Sequence, residues 1–195
     1  MFVQVVEGRT SNPGAIIEHS ERWQREVRPG AVGYLGVTAG TTDDGRTIAI
    51  VRFEDEAAAR ANAARPEQTA WFEEMVKLYD GPPTFTESSD VTEWMGGGSD
   101  DAGFVQVMKS TGVDRAQVER MDAAFEPFTD QRPDLLGGLR IWTGTDSCID
   151  VAYFTSEEEA RRGEQAEPED LRALMAEFES MGQTEYLDLT NPQLH

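Results

Sequence analysis

The phrase Phe2-Val3-Gln4-Val5 returns as Phe104-Val105-Gln106-Val107, about a hundred residues further along a chain of 195. An apolar run with glutamine in the same slot is what duplication of an opening strand leaves behind. Other echoes follow in the same order. Arg28-Pro29 recurs as Arg132-Pro133, and Pro66-Glu67 as Pro168-Glu169. Phe53, which heads an acidic, Ala-rich stretch, recurs as Phe154. The sequence therefore divides into repeats at 1–95 and 103–195, joined by a Gly-rich linker at 96–102. Repeats of about 95 residues bury limited surface alone, which predicts a shared core.

Each repeat reads strand, helix, strand, strand, helix, strand. In the first, Phe2–Glu7 is short and β-branched, and Asn12-Pro13 is a helix start for a segment running to about Val27. Its expected buried stripe is Ile16, Ser20, Trp23 and Val27, with His19 one position off it and at the surface. A hairpin over Ala31–Phe53, a helix from Asp55 to Tyr79 disturbed at Pro66, and a strand over Thr84–Trp94 complete it. The second repeat gives a strand at Phe104–Lys109, a helix at Asp114–Asp130, a hairpin at Leu135–Phe154, a helix at Ser156–Met181 interrupted at Pro168, and a strand at Gln183–Leu189. The tail Asn191–His195 is expected to be loosely held.

The predicted fold class is α+β: two tandem ferredoxin-like βαββαβ repeats, each an antiparallel sheet with both helices on one face. The other face of each sheet needs a cover. This predicts sheet-to-sheet packing as an intramolecular barrel with a small-molecule ligand in the intersheet cavity, the chain being a monomeric pseudo-dimer or a homodimer.

Composition narrows the partners. With 37 acidic and 17 basic residues the net charge is −20, which repels nucleic acid and anionic membranes alike. Cys148 is alone and forms no internal disulfide, and neither a leader nor an apolar run of roughly 20 residues is visible. A cytoplasmic location is expected. Metal-ligand spacings, a P-loop and a dinucleotide fingerprint are lacking, so no cofactor and no metal is expected.

The hairpins give the faces of the sheets. A loop at Gly144-Thr145-Asp146 pairs Leu139 with Val151, Ile141 with Ile149, Arg140 with Asp150 and Trp142 with Cys148. The first-half register pairs Leu35 with Ile50 and Val37 with Ile48. The aliphatic parity is expected under the helices. The other parity is expected to face the cavity or solvent, because a charged pair is costly under helices. That assigns Gln4, Tyr34, Gln106, Arg140, Trp142 and Asp150 to the cavity side, with Gly36, Thr38 and Ala49 standing where the second half has Arg140, Trp142 and Asp150.

On these residues the chain resembles the dimeric α/β-barrel superfamily, and within it the antibiotic-biosynthesis-monooxygenase-like group, as a tandem fusion. The likeness is carried by Phe2–Val6, Arg28–Tyr34, Phe53–Glu56 and their echoes Phe104–Met108, Arg132–Gly138 and Phe154–Ala160. It covers nearly the whole chain, in fold features rather than catalytic signatures. The resemblance implies a cofactor-independent monooxygenase of aromatic or polyketide-like substrates, or a haem-degrading relative. The haem degraders carry Asn on the first strand with Trp and His on the second helix. Here Gln4 and Gln106 stand on the strands, and Trp71 has no following His, which disfavours haem. The cofactor-free oxygenases use Asn, Trp, Tyr and Arg, to which Gln4, Trp71, Tyr34 and Arg140 are similar in residue type.

Arg140 is thus a candidate catalytic residue that would stabilise an enolate or phenolate, oriented by Asp150, and a structural cross-strand ion pair is the alternative. Gln4 and Gln106 would bind a ligand carbonyl, or bond each other or water across the intersheet gap. Tyr34 and Trp142 would wall a flat substrate, or simply fill core. Cys148, without a nearby His, is not expected to be a nucleophile. A non-catalytic ligand-binding or stress-associated role is the rival function.

Overall fold

The computed structural model describes residues 1–165 and 168–195, and their side chains apart from 178 and 179. Two compact units are formed, one from Met1–Val91 with Asn191–His195 and the other from Thr92–Thr190.

The first unit contains β1 (Phe2–Arg9), α1 (Pro13–Glu26), β2 (Tyr34–Thr41), β3 (Arg46–Phe53), α2 (Glu56–Ala63), α3 (Pro66–Val76) and β4 (Thr84–Ser88). The chain continues through β5 (Val91–Trp94) into β6 (Phe104–Thr111), α4 (Arg115–Phe125), β7 (Leu135–Trp142), β8 (Ser147–Phe154), α5 (Glu157–Gln165), α6 (Glu169–Ser180), β9 (Gln183–Leu189) and β10 (Gln193–Leu194). The helix starts are set by side-chain caps that satisfy otherwise orphaned N–H groups. Asn12 accepts from Ala15 N–H at 3.2 Å, Asp55 from Ala58 N–H at 2.8 Å and Asp114 from Gln117 N–H at 2.7 Å. Pro13 and Pro66 stand at helix starts, where a missing N–H costs nothing. The expected break at Pro168 falls between α5 and α6, beside residues 166 and 167, which lie outside the described residues.

Both sheets are antiparallel with five strands, in the orders β10-β2-β3-β1-β4 and β5-β7-β8-β6-β9. Four strands of each reproduce the ferredoxin-like order. The fifth is exchanged. β5, continuous in sequence with the first repeat, lies beside β7, and β10 lies beside β2. The expected single strand over Thr84–Trp94 is therefore two strands in different sheets. The tail is not loose: Gln193 pairs with Ala39 and Leu194 with Thr38, while Val37 N–H donates to His195 O at 2.7 Å.

The second hairpin has the expected register, with Leu139 opposite Val151, Arg140 opposite Asp150 and Trp142 opposite Cys148. The first does not. Val37 pairs with Val51 and Thr38 with Ile50, because β2 runs on to Thr41 and carries a bulge between Tyr34 and Gly36. An odd displacement of register exchanges the faces of a strand. Thr38 thus joins Ile48, Ile50, Val3 and Val5 on one buried face, and Leu35 is exposed.

The layer assignment is the reverse of that expected. In the first unit, Trp23 of α1 packs on Tyr34 at 4.9 Å, Ala59 of α2 on Phe2 and Phe53, and Phe72 of α3 on Phe85 at 5.6 Å. In the second, Ala160 of α5 and Phe125 of α4 pack on Phe104, Leu135, Ala152 and Phe154, and Val118 of α4 on Trp142 and Cys148. The helices therefore cover the parity that carries Gln4, Tyr34, Gln106, Arg140, Trp142 and Asp150. The all-aliphatic parity, with Val3, Val5, Val105, Val107, Leu139 and Ile141 buried, is the face turned away from them.

Candidate functional site

A charged pair is tolerated beneath α4 because that helix brings a third charge. Arg140 Nε donates to Asp150 Oδ1 at 2.6 Å, and its NH1 donates to Asp122 Oδ2. Asp150 is buried, Arg140 nearly so, and Asp122 sits at the rim with its side chain 54% exposed. Burial disfavours the Arg140 charge, but the two carboxylates outweigh it and hold the guanidinium above its ordinary range. Burial likewise pushes the Asp150 carboxyl up, against the pull of Arg140. Cys148 Sγ donates to Asp150 Oδ2 at 3.6 Å, and burial, followed by the Asp150 charge, pushes the thiol up to about 12. Such a thiol is no nucleophile near neutrality.

Trp142 is 5% exposed, packed with Val113, Val118 and Cys148 and capped by the Arg115 guanidinium 4.7 Å from its ring centroid. It fills core, and its ring face is already covered. The sequence alone did not single out Asp122. Its only signal is an acid adjoining the Val118/Met121 stripe of α4.

Each opening glutamine has its partner within its own unit. Gln4 Nε2 donates to Glu87 Oε1 at 2.7 Å, and Gln106 Nε2 to Asp188 Oδ1 at 3.0 Å. Each acid takes an arginine from the helix that follows the hairpin: Arg60 NH2 reaches Glu87 Oε2 at 2.5 Å, and Arg161 NH2 reaches Asp188 Oδ2 at 2.5 Å. Each arginine lies over the phenylalanine two residues before the glutamine, at 5.6 Å for Phe2 and 5.3 Å for Phe104. The repeated Phe-Val-Gln-Val phrase is thus the strand half of one network built twice.

The first unit differs where the second is charged. By register, Ala39 and Ala49 take the places of Arg140 and Asp150, and Thr41 that of Trp142. This replaces the sequence-based alignment with Gly36 and Thr38. Beneath its helices the sheet has a floor of Val6, Val37, Ala39, Ala49 and Val51, all only half-buried, although β1 and β3 are interior strands. The corresponding Asp150 and Ala152 of β8 are buried.

Tyr34 packs in one cluster with Val51 of this floor, Trp23 lies against Tyr34, and Trp71 against Trp23. Trp23 Nε1 donates to Gln68 Oε1 at 2.6 Å, and Gln24 Nε2 donates to the Tyr34 hydroxyl at 3.4 Å. Gln24 Oε1 is buried without a partner among the described residues. His19 is buried rather than superficial. It stacks on Trp71 with centroids 5.0 Å apart, Nε2 is 2.9 Å from Trp71 O, and Trp71 Nε1 donates to His19 O at 3.0 Å. The spacing Ile16, His19, Trp23, Val27 is as helical as the one expected through Ser20, so periodicity could not choose between them.

Among the described residues, no group of three His, Cys, Asp or Glu side chains is placed to hold a metal ion, and no helix is long and apolar enough to cross a membrane.

No family model matches the sequence, and no curated protein matches it. Solved structures do match. A provisionally assigned monooxygenase from Lactobacillus acidophilus is 13% identical, with a TM-score of 0.71, covering 100% of this chain and 99% of its own. One from Fusobacterium nucleatum is 12% identical, with a TM-score of 0.76, covering 100% and 93%. An anthrone oxidase-like protein is 12% identical, with a TM-score of 0.67, covering 99% and 92%. The exchanged fifth strands, the twice-built ferredoxin-like order and full-length agreement with these structures lead to one conclusion: the chain shares the α+β fold of these monooxygenase-named structures, two ferredoxin-like repeats in one polypeptide.

Proposed function

We propose that the protein binds a small aromatic or polyketide-like molecule in the helix-covered layer of the first unit and oxidises it with dioxygen, without a cofactor. The observation that carries this reading is the partial exposure of Ala49 and Val51, small residues on an interior strand beneath helices, where a packed layer would bury them. Solvent reaches this floor, and the proposal is that a flat ring takes its place. Trp23 and Tyr34 offer aromatic walls, and the unpartnered Gln24 carbonyl offers an acceptor for a ring hydroxyl. The names of the similar structures, monooxygenases and an anthrone oxidase-like protein, support the reaction class.

Chemically, an activated ring CH2 becomes C=O. One atom of O2 stays on carbon, and the other leaves as water with both hydrogens. The substrate itself supplies the electrons, so the protein's part is to hold the ring, orient its oxygen and exclude water. In this reading the Asp122–Arg140–Asp150 cluster braces the second unit and does not touch substrate.

The test is oxygen uptake and quinone formation with a panel of anthrone- and quinol-like compounds. Turnover is expected in the wild type and expected to be lost in Ala49→Leu, which fills the floor. Unchanged turnover in Ala49→Leu overturns the assigned site. Saturable binding without oxygen uptake would establish the rival reading, a non-catalytic ligand-binding protein.

A further inference from the structure

We infer that the second unit carries an aromatic-ring site of its own, kept closed by Trp94, whose indole stands where a free ligand would. The comparison rests in part on the site proposed above for the first unit, because it sets one floor beside the other. By register, Gly138 and Ala152 are the counterparts of Val37 and Val51. Val37 and Val51 are half-buried, whereas Gly138 and Ala152 are buried. What covers them is Trp94, which packs in one cluster with Phe104, Leu135, Ala152 and Phe154, together with Ala160 of α5 and Phe125 of α4.

The seat is shaped for the ring. A Cβ on Gly138 would lie 1.9 Å from Trp94 Cζ2 and 2.3 Å from Cε2, so the indole rests on bare backbone. The first copy differs at both members of this pair. Phe85 pairs with Val6 as Tyr186 does with Met108, and the same offset puts His195 in the place of Trp94. His195 pairs with Val37 through both of its backbone groups, but it is exposed and the floor beside it stays half-exposed.

The ring is carried on a strap rather than in the body of the sheet. β5 is a four-residue strand at the sheet edge, and Trp94 at its end remains partly exposed. Met95 follows at φ +49°, the one non-glycine residue with positive φ among the described residues, and Gly96 and Gly97 continue at +89° and +85°. Such a backbone is unfavourable for a residue with a Cβ and persists where its surroundings hold it. Here the seated indole holds it, with the hydrogen bond that Gly97 N–H donates to Trp94 O at 3.0 Å. A ring from solution competes with Trp94 for the seat, and the tether gives Trp94 the advantage of a high effective concentration. The ligand class is a planar aromatic of two fused rings, the size of the indole it replaces.

The test counts indole bound per full chain by equilibrium dialysis for the wild type, Trp94→Ala and Trp94→Phe, and follows the thermal unfolding of each against indole. A ligand that binds only the folded state raises Tm with its concentration. Trp94→Ala is expected to bind one indole more than the wild type and to show a saturable rise in Tm beyond that of the wild type. Trp94→Phe, which keeps a ring in the seat, is expected to gain neither. Should Trp94→Ala fold too poorly to titrate, its refolding yield is expected to rise with indole more steeply than that of Trp94→Phe. The wild-type count separates this inference from the reading above: no indole on the wild type and one on Trp94→Ala counts against the first-unit site and supports the second. Equal counts on the wild type and Trp94→Ala, or a poorly folding variant that indole does not rescue, overturn the inference.

Discussion

Gln4 donates its side-chain amide to Glu87 across the β1–β4 pair at 2.7 Å, and Gln106 does the same to Asp188 across β6–β9 at 3.0 Å. Two copies that differ nearly everywhere else have kept phenylalanine, glutamine, arginine and acid in the same relation. The order of assembly explains the retention. The acid satisfies both the amide and the guanidinium, so losing it takes a partner from both at once.

The acid sensitivity of this network follows from its charges. Arg60 first, and then Gln4, hold the Glu87 carboxyl below its usual range. A folded-state pKa below the unfolded one contributes stability that is fully present above the unfolded value and is lost as pH falls through the folded one. Glu87→Gln should therefore lower stability at pH 7 by about 0.5–1 kcal/mol, as expected for a partly exposed pair. It should make no difference at a pH below the folded value. Urea unfolding at both pH values measures this.

The Arg140 cluster should behave as a unit. Arg140→Ala leaves Asp150 buried beside Asp122 without a cation and should cost about 3–5 kcal/mol. The double change Arg140→Ala with Asp150→Ala copies Ala39 and Ala49 of the first unit and should cost less than the single changes summed. A double-mutant cycle by chemical denaturation gives the coupling directly.

Cys148 should be silent toward thiol reagents while the chain is folded. With its pKa pushed up to about 12 by burial and Asp150, the thiolate is scarce at pH 8, and the sulfur is itself covered. The rate of modification should track the rate of unfolding, and labelling should be complete in denaturant. Rapid labelling of native protein at pH 8 would contradict this placement.

Removing residues 191–195 should destabilise the first unit by about 1–3 kcal/mol, the worth of a few backbone hydrogen bonds. The readout specific to the strand is hydrogen exchange at Val37, whose N–H is held by His195 O at 2.7 Å. Protection there should be lost while Ile50, on the neighbouring interior strand, keeps most of its own.

The repeat, the element order and the second hairpin were legible in the sequence because each rests on short-range signals. These are a recurring phrase, caps such as Asn12 and Asp114, and a tight loop between Trp142 and Cys148. The first hairpin was not legible. Leu35 and Val37 look like core, and nothing local announces a bulge at Tyr34. The layer assignment failed for a different reason. Burying Arg140 with Asp150 is costly for two charges alone, and the third, Asp122, comes from a helix whose facing side is set only by tertiary packing. The candidate site was hidden because its signal is an absence, alanine at Ala39 and Ala49 where the other copy carries bulk. Such a signal can be read only once the register is known.

The exchanged edge strands have a consequence for anyone who divides this gene. A break in the Gly96–Gly98 run would release two fragments, each ending in a ribbon that completes the other and each short of one it needs. Neither should reach native stability alone, while co-expression should restore both, so the protein has the makings of a split reporter.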